Sequence, residues 1–172
     1  MIITIAGNSS IAPELQRLLF GITAYLIPQH TIRIVLGRRG GYEATFAAVE
    51  RALLEGDDVE VEAYPSTLDR IPFLVEDYTM EDVADFYEHP YSDVLESMVS
   101  QDFINRERLG AHICAVLGPE LRQPSDVVIY AGTGNEDTNE YNCLRGACDK
   151  KHIEFLDISH PDDIVRAFKL VA

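Results

Sequence analysis

The chain has 172 residues, 47% apolar and 25% charged, which suits one globular domain with a core that needs no staples. With 29 acids against 14 bases its formal net charge is −15, and only Lys150, Lys151 and Lys169 are lysines. Nucleic acids are held by clustered Lys and Arg, so this balance excludes a nucleic-acid polymer as the expected partner.

Ile2–Ala6 is a short β-branched run ended by Gly7-Asn8-Ser9-Ser10, residues of turn and N-cap type. Pro13 suits a first helical turn, and Leu15, Leu18, Leu19, Ile22 and Leu26 recur at helical spacing until Pro28. Ile32–Leu36 is a second strand of buried type, closed by Gly37-Arg38-Arg39-Gly40-Gly41. Phe46, Val49, Ala52 and Leu53 then form the apolar face of a helix with Gly56 at its C-cap. Val59–Tyr64 alternates Val and Glu, which predicts a strand with one exposed face. From Glu76 to Asp102 the chain carries nine acids and no Lys or Arg, yet its apolar periodicity persists. Residues 68–100 are therefore expected to form a helical insertion or lid, and 102–117 a long amphipathic helix. Val127–Tyr130 is a fourth strand that runs into Ala131-Gly132-Thr133-Gly134-Asn135 and a helix to about Cys148. Ile153–Ile158 is the fifth. Ser159-His160-Pro161-Asp162-Asp163 caps a last helix, whose apolar side is Ile164, Val165, Phe168 and Val171, with Arg166 and Lys169 turned outward.

Strands alternating with helices imply parallel βαβ units with right-handed crossovers. The expected fold is thus α/β: a single Rossmann-like domain over residues 1–172 with a parallel sheet of about five strands, plus the acidic helical insertion. Met1 leads straight into Ile2-Ile3-Thr4-Ile5, which argues against a signal peptide. The longest uncharged apolar run, Leu18 to Ile27, falls short of the ~20 residues that span a bilayer. Cys114, Cys143 and Cys148 form no C-x-x-C pair, and the five histidines have no metal-ligand spacing. The expectation is a soluble cytoplasmic protein with reduced thiols, no membrane partner, no metal and no cofactor.

In doubly wound sheets ligands bind outside the carboxyl ends of the strands. Three of the expected strands end there in glycine-containing loops that lead into helices, presenting backbone N–H groups and the positive ends of helix dipoles. The candidate ligand-binding residues are Gly7, Asn8, Ser9, Ser10, Gly37, Arg38, Gly40, Gly41, Gly132, Thr133, Gly134 and Thr138. None of the loops matches G-x-G-x-x-G or the P-loop. One glycine turn after a strand is ordinarily only a turn, but three at one rim point to a phosphate-bearing ligand. The Arg38-Arg39 pair either clamps phosphate or faces solvent.

The order of these motifs resembles the Lonely Guy (LOG) and SLOG superfamily. Gly7-Asn8-Ser9-Ser10 stands where its members carry G-S-S or G-S-R, and Leu36 to Ala44 where they have a second Gly-rich loop. Asn105-Arg106-Glu107-Arg108 precedes the strand, and Gly132-x-Gly134 with Thr138-Asn139-Glu140 follows it, much as P-G-G-x-G-T-x-x-E does in LOG enzymes. The resemblance implies hydrolysis of the N-glycosidic bond of a nucleoside 5′-monophosphate, with Arg106 holding the ligand and Glu140 acting on the ribose or the attacking water. Aligning on Arg108 shifts the ligand contact to that residue. It also implies a homodimer. This chain departs from the pattern in having Tyr130-Ala131-Gly132 for P-G-G, a longer path from Gly132 to Thr138, and Glu140 two residues after Thr138 rather than three. The alternative in the same superfamily is a non-catalytic sensor of a nucleotide-derived ligand. A third reading, outside it, is an interaction protein using its acidic face.

Overall fold

The computed structural model describes residues 1–8, 10–36, 40–65, 111–118, 122–133 and 139–171. The expected insertion at 68–100 lies outside the described residues, as does 102–110 of the long helix. Five strands, β1 (Ile2–Gly7), β2 (Thr31–Leu36), β3 (Val61–Pro65), β4 (Val127–Ala131) and β5 (Glu154–Asp157), form one sheet. Their order is β3-β2-β1-β4-β5 and every neighbouring pair is parallel. The helices described are α1 (Pro13–Leu26), α2 (Gly41–Glu55), α3 (111–117), α4 (Asn139–Lys151) and α5 (Pro161–Lys169). This is the Rossmann-like α/β fold that the alternating pattern predicts.

Successive strand residues face opposite sides of the sheet. Ile3, Ile5, Ile34, Ala63, Ile129 and Leu156 meet Leu19, Ile22 and Leu26 of α1, Ala48 and Val49 of α2, and Ala167 of α5. On the other side Ala6, Val128, Tyr130 and Phe155 meet Ile113, Val116 and Leu117 of α3 and Leu144, Ala147 and Cys148 of α4. Coverage on both faces is why most strand positions read as apolar without alternation.

The exception is β3, and here the expectation of a solvent-facing side fails. Val61, Ala63 and Tyr64 are all buried, and Glu62 turns inward to Arg33, its register partner on β2. Arg33 is wholly buried; its Nε donates to Glu62 Oε2 at 2.5 Å and its Nη1 to the Gln123 carbonyl at 2.6 Å. Thr4, beside Arg33 in register, donates Oγ1–H to the Ala115 carbonyl at 2.7 Å and lies 2.7 Å from Ser125 Oγ. The alternation of β3 thus marks a polar layer between the sheet and α3, because a buried cation is tolerated only beside a partner.

Helix entries also differ from expectation. The N-cap of α1 is Ala12, which makes no side-chain cap bond, so Asn8 and Ser10 lie before the helix rather than on its first amides. His160 caps α5 without a side-chain bond, and Asp163 instead accepts the Asp157 N–H at 3.0 Å. On α5, Val165 and Phe168 are exposed and Ala167 is the buried residue. Leu53 of α2 is exposed as well.

Candidate functional site

β1 and β4 lie side by side, but their outgoing chains diverge. α1 covers one face of the sheet and α4 the other. The carboxyl ends of these two strands therefore frame the crevice where strand order reverses, the position at which this architecture takes ligands. Gly7 and Ala131 are partners in register there.

Asn8 fastens the rim. Its N–H donates to the Ala131 carbonyl at 2.8 Å, across the crevice, and its own carbonyl accepts the Gly41 N–H at 2.9 Å. Its side-chain Oδ1 accepts the Ser10 N–H at 3.0 Å, closing an Asx-type turn before α1. Asn8 is buried while Ser10 is exposed. One short asparagine thus joins the end of β1 to β4, to the start of α2 and to the approach to α1.

The bond to Gly41 brings the first turn of α2 onto the end of β1. Gly40, with φ 66° and ψ −125°, caps that helix and offers no side-chain oxygen to its first amides. α1 is likewise without a side-chain cap. The opening N–H groups of a helix have no intrahelical acceptor, and although the Gly41 N–H is taken by Asn8, both helix starts turn their partial positive charge toward the same rim. Glu14 and Glu43, exposed in the first turns, are the acids nearest those starts in sequence.

Beyond β4, Gly132 is buried and Thr133 exposed. A Cβ on Gly132 would lie 2.7 Å from Cε1 of the buried Tyr130 ring. That ring meets Tyr141 edge-on at 5.8 Å and Phe155 at a tilt at 5.9 Å between centroids. The aromatic layer sets the level of the loop from beneath, so the floor at Gly132 is backbone.

Of the sequence-predicted residues, the structure brings Gly7, Asn8, Ser10, Gly40, Gly41, Gly132 and Thr133 to this one end of the sheet. Glu140 stands in the first turn of α4. Because α4 is the helix of a parallel crossover, its start belongs to the same end. Ser9, Gly37, Arg38, Arg106, Arg108, Gly134 and Thr138 lie outside the described residues. Sequence reasoning missed a cleft of about 360 Å³ between the opening halves of α1 and α2, lined by Gln16, Arg17, Phe20, Glu43, Ala44 and Ala47. Its signal, Gln16 and Phe20 one helical turn apart, is hidden among ordinary core spacing. A larger hollow of about 540 Å³ between Met1, His30, Asp58 and Glu60 sits at the opposite end, before the strands begin. Among the described residues that end carries no helix start, and Thr31 Oγ1 donates to Glu60 at 2.7 Å beside it.

Among the described residues no three His, Cys, Asp or Glu side chains converge as a metal site, and no helix is long and apolar enough to cross a membrane. Comparison with protein-family models, with curated proteins and with solved structures finds no match to this chain.

Proposed function

We propose that the β1/β4 rim binds the phosphate of a nucleotide or nucleotide-like ligand. The observation that carries this reading is the side-chain-free floor of Gly7, Gly41 and Gly132 at the reversal of strand order, where Asn8 ties the end of β1 to Ala131 and to Gly41 beside two helix starts that have no side-chain cap. Backbone amides suit an anion in an otherwise acidic chain because they supply partial positive charge without a basic surface. The hydroxyls of Ser10 and Thr133 supply further donors.

For the reaction, we propose hydrolysis of the N-glycosidic bond of a nucleoside 5′-monophosphate. Water adds at the anomeric carbon as the carbon–nitrogen bond breaks, and the base leaves with the bonding pair and takes up a proton. A carboxylate stabilises the oxocarbenium-like state or takes the proton of the water, and Glu140 at the start of α4 is the acid assigned to it. Arg106, or Arg108 in its place, holds the ligand, and Arg38 adds a charged contact to phosphate. A second reading, binding without turnover, is favoured by Tyr130-Ala131-Gly132 standing where the resembling enzymes carry Pro-Gly-Gly.

Incubation with a panel of ribo- and deoxyribonucleoside 5′-monophosphates, followed by chromatography for free base, separates these. Base release that Glu140→Gln abolishes while binding persists supports the hydrolase. Binding with no release supports the sensor. Neither binding nor release overturns both.

A further inference from the structure

The cleft between the opening halves of α1 and α2 is walled by two short strips of side chains. Pro13, Arg17 and Phe20 recur at helical spacing along α1, and Glu43 and Ala47 do so along α2. Its volume of about 360 Å³ is at the small end for a ligand pocket. The cleft stays open because α2 lines it with Ala44 and Ala47, while the half-buried Phe20 supplies an aromatic wall. Gln16 is already engaged, its Nε2 donating to the Ile11 carbonyl at 3.1 Å.

The two charged groups are not engaged. Arg17 and Glu43, exposed on facing walls, form no ion pair with each other or with any other group among the described residues. A donor-only cation opposite an acceptor-only acid suits a flat ligand whose edge carries donors and an acceptor side by side. The acid also turns an anion away, so a phosphate belongs at the rim amides and the uncharged end of its ligand in the cleft. The spacing agrees. α2 rises about 9 Å from Gly41 at the rim to Ala47 in the cleft, the scale of a nucleotide from its phosphate to its base.

We propose that the α1/α2 cleft seats the base of the nucleotide and that the base is guanine. This rests on the phosphate reading of the rim and adds the identity of the base to it. Guanine presents N1–H and the 2-amino group as adjacent donors, with O6 as an acceptor beside them. Glu43 accepts both N–H groups and Arg17 donates to O6, while the ring stacks on Phe20. Adenine reverses the pattern, setting an acceptor nitrogen toward the carboxylate and an amino group toward the guanidinium. Cytosine offers the carboxylate only one amino group. Hypoxanthine keeps N1–H and O6 and lacks the 2-amino donor.

Calorimetric titration of the full chain with guanosine, inosine, adenosine and cytidine 5′-monophosphates tests this, with ribose 5-phosphate as the probe that has no base. Guanosine monophosphate is expected to bind about tenfold or more tighter than adenosine or cytidine monophosphate, with inosine monophosphate between them. Glu43→Gln is expected to close the gap between guanosine and inosine monophosphates, and Arg17→Met to weaken both. Ala47→Leu, which fills the cleft, is expected to lower every nucleotide to the affinity of ribose 5-phosphate without changing the latter. Ribose 5-phosphate binding with no preference among the four bases overturns the guanine seat and leaves the rim reading standing. So does a guanine preference that survives Glu43→Gln, or a guanosine monophosphate affinity that Ala47→Leu leaves unchanged. Binding of neither ribose 5-phosphate nor any nucleotide overturns both.

Discussion

Gly7 and Gly41 meet backbone to backbone: a Cβ on Gly41 would lie 2.5 Å from the Gly7 Cα, and one on Gly7 would lie 2.7 Å from the Gly41 Cα. The Gly41 N–H bond to Asn8 runs beside this contact. The start of α2 is therefore pressed onto the end of β1 with no side chain between them, and the obstacle to any larger residue is main chain, which does not swing aside.

Gly41→Ala is accordingly expected to destabilise the fold by about 1–3 kcal/mol, as overpacking of a closed contact does. Urea unfolding monitored by circular dichroism measures it. Under folded conditions the variant is also expected to lose ligand affinity, because α2 must withdraw from the rim. Unchanged stability would mean that the two backbones separate at no cost.

The sheet and its helices were legible because burial on both faces writes itself as apolar runs. Ile2–Ala6, Ile32–Leu36 and Val127–Tyr130 fall within a residue of the observed strands, and Gly56 takes the left-handed C-cap expected of it. The glycine loops were legible as a rim for the same reason, since parallel strands all end on one side. Three features were not. Glu62 reads as a surface residue until its cross-strand partner Arg33 is known, and pairing at a separation of 29 residues leaves no local mark. Ile164 and Val171 pack on the core as the apolar helix face predicts, but Val165 and Phe168 stay exposed and the small Ala167 is buried in their stead. The tie made by Asn8 depends on Ala131, more than a hundred residues away, and polarity alone cannot distinguish a fastening asparagine from a ligand contact.

Arg33→Ala is expected to destabilise the protein by about 3–5 kcal/mol, since it leaves Glu62 and the Gln123 carbonyl without their cation. Replacing both members, Arg33→Met with Glu62→Gln, is expected to cost clearly less than the single change. A double-mutant cycle in urea measures the coupling. Additive losses would show that Arg33 and Glu62 act independently.

His152 follows α4 with φ 57°, a left-handed conformation that ordinary side chains resist. The Ile153 N–H returns to the Cys148 carbonyl at 2.9 Å, the reversal that glycine makes most readily. His152→Gly is expected to raise stability by about 1 kcal/mol, read as a higher urea midpoint with unchanged slope. A lower midpoint would mean that the exposed imidazole contributes more than the backbone conformation costs.

Burial beneath α4 pushes the Cys148 thiol up to about 12 from 9.0, with Asp149 adding to the shift and Arg145 opposing it. The folded value lies above the unfolded one, so this contribution to stability is whole below about pH 9 and is lost as pH rises toward about 12. Cys148→Ala is therefore expected to flatten the fall in stability over that alkaline range. Alkylation of Cys148 at mildly alkaline pH is expected to be far slower in the native protein than in urea. Equal rates would contradict a protonated, buried thiol.

The central claim, that the reversal point between β1 and β4 holds a nucleotide phosphate, is tested most directly by backbone amide NMR of the labelled chain during titration with adenosine 5′-monophosphate and the other nucleoside monophosphates. The account predicts saturable shifts at Gly7, Asn8, Ser10, Gly40, Gly41, Gly132 and Thr133, reproduced by a ligand that keeps the phosphate and diminished by a nucleoside that lacks it. Shifts confined to the other end of the sheet, around His30 and Glu60, or no saturable shift with any of these ligands, would contradict it.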